Sequence, residues 1–292
     1  LYGDAGPDVI RGESGNDSMY GGSGLDKIWG GSGLDGMFGG IDNVRDRIYG
    51  QTDEDRYLFR ENDFLGDRYP NNEAIVHFED KDDQWTDIEV EAVDQTLRMF
   101  HFRLQNTDLI RDTISDEPIV FVKAKYLSGG DEGRNDLIVN RERYYSNKTL
   151  RWEERVSYER KIVMADWDET DDALNESRIS LTTNLMAKNW DSITELTNAD
   201  EESNQRWENF LSSSDWTDQY PSDPGSYQLS QDGLWWYGTG SSFAKPGGSL
   251  NPSEDWSTVW DYYFTVSPTS FDFGLNQKLN QVDSLFDSMF QT

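Results

Sequence analysis

The sequence predicts a mainly β fold followed by an α+β fold. We expect a parallel β-roll with a capping strand over residues 1–84, an α+β domain over 85–266, and a C-terminal amphipathic helix or tail over 267–292. Three observations support this division. A nine-residue, glycine-rich repeat opens the chain, this period ends near residue 84, and apolar residues recur at helical spacing near the C-terminus.

The repeat can be read from Gly3 as six consecutive units. They are GDAGPDVIR, GESGNDSMY, GGSGLDKIW, GGSGLDGMF, GGIDNVRDRIY and GQTDEDRYL. Each unit carries an aspartate at a fixed place: Asp8, Asp17, Asp26, Asp35, Asp46 and Asp55. Two residues later stands a large side chain: Ile10, Met19, Ile28, Met37, Ile48 and Tyr57. A glycine-rich linker would not keep both residues in phase over six units, so the repeat indicates stacked coils.

The spacing also indicates how the coils stack and what they bind. Glycines permit the positive φ angles of a tight turn, and the short strand after each aspartate buries one side chain. With half a coil per unit, aspartates two units apart lie on the same side of a flattened right-handed solenoid. The expected pairs are Asp8/Asp26, Asp17/Asp35, Asp26/Asp46 and Asp35/Asp55. Carboxylate and carbonyl oxygens between such turns suit Ca²⁺, which predicts about four ions.

The repeat resembles the RTX repeat, whose pattern is GGxGxDxUx. The resemblance covers residues 1–60 and implies calcium binding by the six aspartates. It also implies a bacterial protein that is exported and folds where calcium is plentiful, so we expect a secreted, extracellular or cell-surface location. Residues 73–80 resemble the strand that closes such rolls, and His77 is expected to cap the roll rather than bind a ligand. The chain begins inside a repeat, which we interpret as a piece of a longer protein.

The composition excludes several classes of function. Asp and Glu number 56 against 26 Lys and Arg, a formal net charge of −30, so we expect no nucleic-acid partner. The longest apolar run, Ile119–Val122, is far too short for a membrane helix, so we expect no membrane span. The chain has no cysteine and only 2 histidines, so zinc is not expected as a cofactor. The expected partners are other protein subunits or a component of a cell surface or extracellular matrix.

Strands are expected in the middle of the chain at Leu97–Leu104, Pro118–Tyr126, Lys161–Asp166 and Arg178–Leu181. His101 lies between aromatic residues in the first of these segments, and we interpret it as a packed strand residue rather than a catalytic base. Further on, apolar residues at helical spacing predict an amphipathic helix over 185–200.

That helix carries the segment TELTN, residues 194–198, which aligns with the zinc-binding pattern H-E-x-x-H. Residues 210–217 and 243–264 resemble elements that follow the zinc helix in gluzincin-type metallopeptidases, similar to the catalytic-domain family of anthrax lethal factor. The resemblance implies that these positions correspond to the two histidine ligands, the general base, a tyrosine and the third ligand, in that order: Thr194 and Asn198, Glu195, Gly247 and Glu254.

The departures from that pattern predict a protein that is not an enzyme. Threonine and asparagine oxygens are poor zinc ligands beside imidazole, and one carboxylate cannot hold catalytic zinc. We therefore expect a degenerate, catalytically inactive metallopeptidase-like domain. Each of the two glutamates that match the peptidase pattern could instead have only a structural role in its own helix. Glu254 would belong to a capping box that starts at Asn251, and Glu195 would be a carboxylate on a helix surface.

The function expected from these observations is a secreted or cell-surface calcium-binding protein with a structural, assembly or adhesion role. Two alternatives stay open. One is an active secreted zinc metallopeptidase with unusual ligands, in which Glu195 is the base and Glu254 a ligand. The other is a glycan- or peptide-binding module that uses the aromatic residues near Trp235, Trp236, Trp256 and Trp260. The same aromatic residues could instead form a core.

Overall fold

The structure is a computed structural model and describes residues 1–60, 62–66, 74–105, 107, 110, 119–128, 133–146, 148–149, 151–165, 181–187 and 201–289. The chain divides into two compact units, Leu1–Leu174 and Asn175–Thr292. This division does not coincide with the expected boundary after residue 84, because a sheet that starts in the repeats continues into later strands.

The repeats of the first unit form two parallel sheets whose strands alternate along the chain. The strands are β1 (Val9–Ser14), β2 (Ser18–Tyr20), β3 (Lys27–Ser32), β4 (Gly36–Phe38), β5 (Arg47–Thr52), β6 (Arg56–Phe59) and β7 (Phe64–Leu65). One sheet has the order β1-β3-β5-β7, and β2, β4 and β6 are neighbours in the other. Strands two units apart pair in parallel, so Ile10 stands opposite Ile28 and Ile28 opposite Ile48. This is the parallel β-roll that the spacing predicts.

The core of the roll consists of the large side chains that follow each aspartate by two positions. They form one buried cluster: Ile10, Met19, Ile28, Met37, Ile48 and Tyr57, with Leu65 packed against it. Burying an aliphatic side chain of this size contributes about 1.5–3 kcal/mol. The apolar half of the repeat therefore supplies the hydrophobic free energy that holds the two sheets together.

The second sheet does not end with the repeats. It continues from β6 through β8 (Ala74–Asp80), β9 (Ile119–Ala124) and β11 (Arg151–Ala165) to β10 (Gly133–Ser146). The pairings β6–β8, β8–β9 and β9–β11 are parallel, and β10–β11 is an antiparallel hairpin. β8 lies in the segment expected to close the roll, but it also pairs with β9, so the sheet does not end there. β9 and the end of β11 confirm two of the strands expected in the middle of the chain.

A helix, α1 (Asp87–Leu104), occupies the segment where we expected the strand Leu97–Leu104, so that prediction is wrong. The alternating sequence LRMFHFRL suggests a strand, yet the buried residues Val90, Val93, Leu97, Phe100 and Leu104 recur every three or four positions. A capping box of Thr86 and Glu89 starts the helix. Of the expected strand Arg178–Leu181, residues 178–180 lie outside the described residues, and Leu181 is helical.

The second unit is mainly helical. Its elements are α2 (residues 181–187), α3 (Glu201–Ser212), the short hairpin β12 (Tyr227–Leu229) and β13 (Trp236–Gly238), α4 (Pro252–Asp261) and α5 (Phe273–Met289). Asn251 caps α4 and Pro252 is its first residue, as expected, and a π turn extends it through Val266. Among the described helices, none has both the length and the apolarity that a membrane crossing needs.

Candidate metal centre

The aspartates of the repeat form hydrogen-bonded columns along the roll. In each expected pair, the backbone N–H of the first aspartate donates to Oδ1 of the second. The N···O distances are 2.7 Å for Asp8/Asp26, 2.8 Å for Asp17/Asp35, 2.7 Å for Asp26/Asp46 and 2.9 Å for Asp35/Asp55. The fold therefore brings together the four pairs that the spacing predicts, because each aspartate directly precedes a strand that pairs two units away.

The second carboxylate oxygen of these residues is in a different situation. Five aspartates bury an Oδ2 atom that has no hydrogen-bond partner among the described residues: Asp8, Asp17, Asp26, Asp35 and Asp46. Removing an ionised carboxylate from water without a partner is costly, and buried charges are normally paired or bound to a metal. A regular series of such oxygens indicates a site for cations.

A glycine leaves space beside each of these oxygens. At Gly21, an added Cβ atom would lie 2.6 Å from Asp26 Oδ2 and 2.3 Å from the carbonyl oxygen of Gly39 in the next coil. The first glycines of the neighbouring units have the same surroundings: Gly12, Gly30 and Gly39 each face Oδ2 of the aspartate in their own unit. A carboxylate oxygen and backbone carbonyls therefore converge where any side chain other than hydrogen would intrude.

The electrostatics of the aspartate columns favour neutralisation of the buried carboxylate charges. Burial raises the pKa of Asp26 above its ordinary value, and the nearby Asp8 and Asp42 raise it further. The pKa of Asp35 rises to about 6 and that of Asp46 to about 7, chiefly through burial, with neighbouring carboxylates adding to the effect. These three carboxylates thus resist ionisation in the fold unless a positive charge is brought to them.

The donor chemistry fits a hard cation. Ca²⁺ takes six to eight oxygen ligands, from carboxylates and from backbone carbonyls. No group of three or more His, Cys, Asp or Glu side chains in the described part of the chain could hold a metal ion by itself. Carbonyl oxygens would therefore complete any site. The second glycines bring such oxygens close: an added Cβ at Gly22 would lie 2.0 Å from the carbonyl oxygen of Asp4.

Comparison with protein families agrees with this chemistry. A family model described as the RTX calcium-binding nonapeptide repeat matches residues 2–37 and 20–43, with 4 copies. The N-terminal segment carries RTX repeats. RTX repeats bind Ca²⁺ and are typical of secreted bacterial proteins. No curated protein and no solved structure matches the chain.

The RTX columns extend beyond the matched residues. Asp46 and Asp55 belong to units that have lost glycines, yet both continue the hydrogen-bond pattern. The structure adds Asp63, whose Oδ1 accepts from the backbone N–H of Asp46 at 3.1 Å and whose Oδ2 accepts from that of Arg60 at 3.0 Å. Sequence reasoning missed Asp63. Its signal was Leu65, the large residue that follows it by two positions, as in every earlier unit.

The peptidase-like positions are only partly within the described residues. Thr194, Glu195 and Asn198 lie outside them. Gly247 is exposed in a 3₁₀ turn over Pro246–Ser249, with open space where a side chain would stand. Glu254 is the third residue of α4, and its backbone N–H donates to Asn251 Oδ1 at 2.9 Å. This contact is the Asn251 half of the capping box that was the alternative for Glu254, and it involves the backbone of Glu254 rather than its side chain.

Both histidines have structural surroundings. His101 is packed as expected, but on α1 rather than on a strand, and its Nδ1 atom lies 2.8 Å from Arg56 Nη1. Burial and the charge of Arg56 lower the pKa of His101 to about 3, so the ring is neutral. His77 lies on β8, stacked on Phe59 with ring centroids 4.7 Å apart, and its Nδ1 is 3.6 Å from Glu79 Oε1.

Arg56 also forms the main ion pair between the roll and α1. Its Nη2 atom lies 3.1 Å from Asp94 Oδ1, with both side chains almost fully buried. The hydroxyl of Tyr20 donates to Asp94 Oδ2 at 2.8 Å. The guanidinium lies over Gly36, where an added Cβ would be 2.2 Å from Nη2. This carboxylate, unlike those of the columns, is neutralised by the chain itself.

The aromatic residues considered for a binding groove lie mostly inside the second unit. Trp256 and Trp260 are buried, whereas Trp235 and Trp236 are half-buried, and Trp260 packs edge-on against Phe286 of α5 with centroids 5.0 Å apart. Trp256 and Trp260 therefore contribute to the core, as the alternative for these residues expected.

Proposed function

We propose that the chain is a non-catalytic, calcium-dependent structural or adhesive part of a secreted or cell-surface bacterial protein. The observation that carries the proposal is the series of buried aspartate Oδ2 atoms that have no hydrogen-bond partner among the described residues. The RTX repeats support it, because such repeats bind Ca²⁺ and are typical of exported proteins.

In this proposal about four Ca²⁺ ions are held between successive coils, one at each aspartate pair. The pairs are Asp8/Asp26, Asp17/Asp35, Asp26/Asp46 and Asp35/Asp55. Bound Ca²⁺ supplies positive charge that offsets carboxylate desolvation and mutual repulsion. The aspartates orient the turns through their Oδ1 hydrogen bonds, and the glycines admit the carbonyl oxygens of the next coil.

We further propose that the second unit is a degenerate, inactive metallopeptidase-like domain that binds no zinc. The support is the residue types at the matched positions: Thr194 and Asn198 in place of histidines, and Gly247 in place of a tyrosine. Asn251 starts α4 by accepting a hydrogen bond from the backbone N–H of Glu254, a contact that needs no metal-binding glutamate side chain. A formal charge of −30 favours partners that offer cations or neutral surfaces, such as other subunits or a calcium-rich surface layer.

The test is elemental analysis of the chain after equilibration with both calcium and zinc, compared between wild type and two variants. Wild type should retain about four calcium ions and no zinc. Asp26→Asn should lose about two ions, because Asp26 belongs to two pairs, whereas Asp8→Asn should lose about one. Asparagine keeps the size of the aspartate side chain and one of its oxygens but removes the negative charge.

Equal losses from the two variants would contradict the pairing. One tightly held zinc ion would contradict the inactive domain and favour the metallopeptidase alternative. Hydrolysis of a generic protein substrate, abolished by Glu195→Gln, would then establish that alternative.

A further inference from the structure

A lysine and an aspartate meet in the interior of the second unit. Lys278 of α5 and Asp255 of α4 are both fully buried. Lys278 Nζ lies 2.8 Å from Asp255 Oδ1 and 2.7 Å from Oδ2, so the amine faces the carboxyl group across both oxygens. The nitrogen is therefore held next to the carboxyl carbon in a site that water does not reach.

The other contacts of the pair orient both groups. Lys278 Nζ donates to the backbone carbonyl of Ser242 at 2.6 Å. Trp216 Nε1 donates to Asp255 Oδ2 at 2.9 Å, and Ser214 Oγ lies 3.5 Å from the same oxygen. These contacts fix the amine on one side of the carboxyl group and place an indole N–H on one of its oxygens.

The surroundings are otherwise aromatic. Lys278 Nζ lies 4.4 Å from the ring centroid of Phe243 and 5.9 Å from that of Phe210.

Burial raises the pKa of Asp255 and lowers the pKa of Lys278, while their mutual attraction opposes both shifts. Transfer of one proton from the ammonium to the carboxylate gives a neutral amine and a carboxylic acid, the forms that an apolar site favours.

We propose that Lys278 and Asp255 join in an intramolecular amide bond, so that the second unit carries an isopeptide cross-link between α4 and α5. The neutral Nζ attacks Cγ of Asp255, and the N–C bond forms while the carbonyl π electrons move onto oxygen. The hydroxyl group then leaves with a proton from nitrogen as one water molecule. No oxidant, reductant or cofactor takes part.

The observed contacts suit each stage of this condensation. Fixing the amine against the carboxyl group removes the entropic cost of bringing two reactants together. The N–H of Trp216 faces the oxygen on which negative charge develops, and such a donor stabilises a tetrahedral intermediate in a dry site. The carbonyl oxygen of Ser242 accepts one N–H of the amine and holds the nitrogen beside the carboxyl group, from which a small rotation of that group would expose Cγ to the nitrogen lone pair.

Two of the other lysine–carboxylate contacts provide internal comparisons. Lys245 contacts Asp261, but the lysine side chain is 38% exposed. Lys123 contacts Glu89, whose other oxygen accepts from the backbone N–H of Thr86 at the start of α1. Among the contacts described, the combination of a fully buried amine, two facing carboxylate oxygens and an indole donor is found at Lys278 and Asp255. The cross-link is therefore assigned to Lys278 and Asp255 alone.

The experiment is mass spectrometry of the full chain, expressed and purified with calcium. We expect the intact mass to lie below the sequence mass by one water molecule. Protease digestion should yield a branched peptide that links Lys278 to Asp255. Lys278→Arg keeps the positive charge but removes the primary amine, so it should restore the full sequence mass. Lys245→Arg, the matched control in the same unit, should keep the water loss.

A second variant covers the case in which Lys278→Arg does not fold. Asp255→Asn preserves size and places an amide beside the amine, so condensation should release ammonia instead of water. The proposal is overturned if wild type with intact near-ultraviolet circular dichroism keeps its full sequence mass after prolonged incubation. It is also overturned if the water loss maps to another pair or to a succinimide within one residue. These outcomes do not depend on calcium stoichiometry, so they are separable from the test of the roll.

Discussion

The roll and the second unit bury carboxylates in opposite ways. In the roll, Asp26, Asp35 and Asp46 each use one oxygen for a backbone hydrogen bond and leave a buried Oδ2 with no partner among the described residues. In the second unit, Asp255 receives Lys278 on both oxygens and Trp216 on one of them. In the proposed function one region depends on cations from solution, whereas the other places a lysine of the same chain against its buried carboxyl group.

The difference explains how one chain can respond locally to its medium. A carboxylate that is paired inside the chain is satisfied whenever the chain folds. A carboxylate that needs a free ion is satisfied only when that ion binds the folded state, so stability depends on ion concentration. The roll should therefore fold and unfold with calcium, while the second unit should not.

Removal of calcium is the largest expected effect and the most direct way to break this comparison. Excess EGTA should unfold the roll, because several buried carboxylates lose their counter-ions together. Hydrogen exchange followed by mass spectrometry should show loss of protection in residues 9–65 and retained protection in α4 and α5. Excess magnesium with EGTA is the control for ionic strength. Circular dichroism and exchange that do not respond to EGTA would refute calcium-dependent folding.

A glycine substitution tests whether the coils must approach closely. An added Cβ at Gly40, where φ is +146°, would lie 1.8 Å from the carbonyl oxygen of Gly22. Gly40→Ala should prevent that coil from stacking and cost more than about 4 kcal/mol. Gly6 also has positive φ, +111°, but no atom within 4 Å, so Gly6→Ala should cost only about 1–3 kcal/mol of backbone strain.

The measurement is calcium-dependent urea unfolding of both alanine variants. Similar losses for Gly40→Ala and Gly6→Ala would mean that positive φ, and not close stacking, governs these positions.

Arg56→Met tests, within the first unit, how a carboxylate neutralised by a side chain differs from one that needs calcium. The substitution removes the guanidinium group that pairs with Asp94. Asp94 would keep only the hydroxyl of Tyr20 as a close partner among the contacts described. Breaking a buried ion pair in this way should cost about 3–5 kcal/mol, and saturating calcium should not restore it. Urea unfolding at saturating calcium measures the loss. Adding Asp94→Asn should recover part of it, and a double variant less stable than the single one would contradict this account.

Acid should weaken the first unit through His101, by a smaller amount. The pKa of His101 in the fold is about 3, below the ordinary value of 6.5. Between these two pH values the unfolded chain therefore binds a proton at His101 that the folded chain does not bind. The stabilising contribution is complete above pH 6.5 and is lost as the pH falls towards 3. At pH 5 the loss should be about 2 kcal/mol.

The His101 effect is isolated by comparing wild type with His101→Gln, which cannot titrate. The difference in unfolding free energy between the two proteins should fall by the stated amount from pH 7.5 to pH 5. A difference that does not change with pH would show that His101 titrates normally.

The roll could be predicted from sequence because its information is local and repeated. Glycine, aspartate and an apolar residue recur at fixed spacing, and the resulting register fixed all four expected aspartate pairs. The continuation of the sheet through β8, β9 and β11 could not be predicted, since parallel pairing between distant segments leaves no periodic signal. Asp63 was missed because the glycines of its unit are gone.

The helix α1 shows where local patterns mislead. The residues LRMFHFRL alternate like a strand, and only the wider window that starts at the Thr86–Glu89 capping box reveals helical spacing. In the second unit, Asn251 and Pro252 identified the start of α4 correctly. The contact of Lys278 with Asp255 joins two helices, and nothing in either helix alone predicts it.

The stacking of the coils also has a mechanical consequence. Between β1 and β7 the chain crosses three strand spacings, about 14 Å, whereas the same residues fully extended reach about 190 Å. In the proposed function, calcium binding therefore shortens this segment more than tenfold. Under tension, the N-terminal segment would act as a tether that lengthens when the medium loses calcium and shortens when calcium returns.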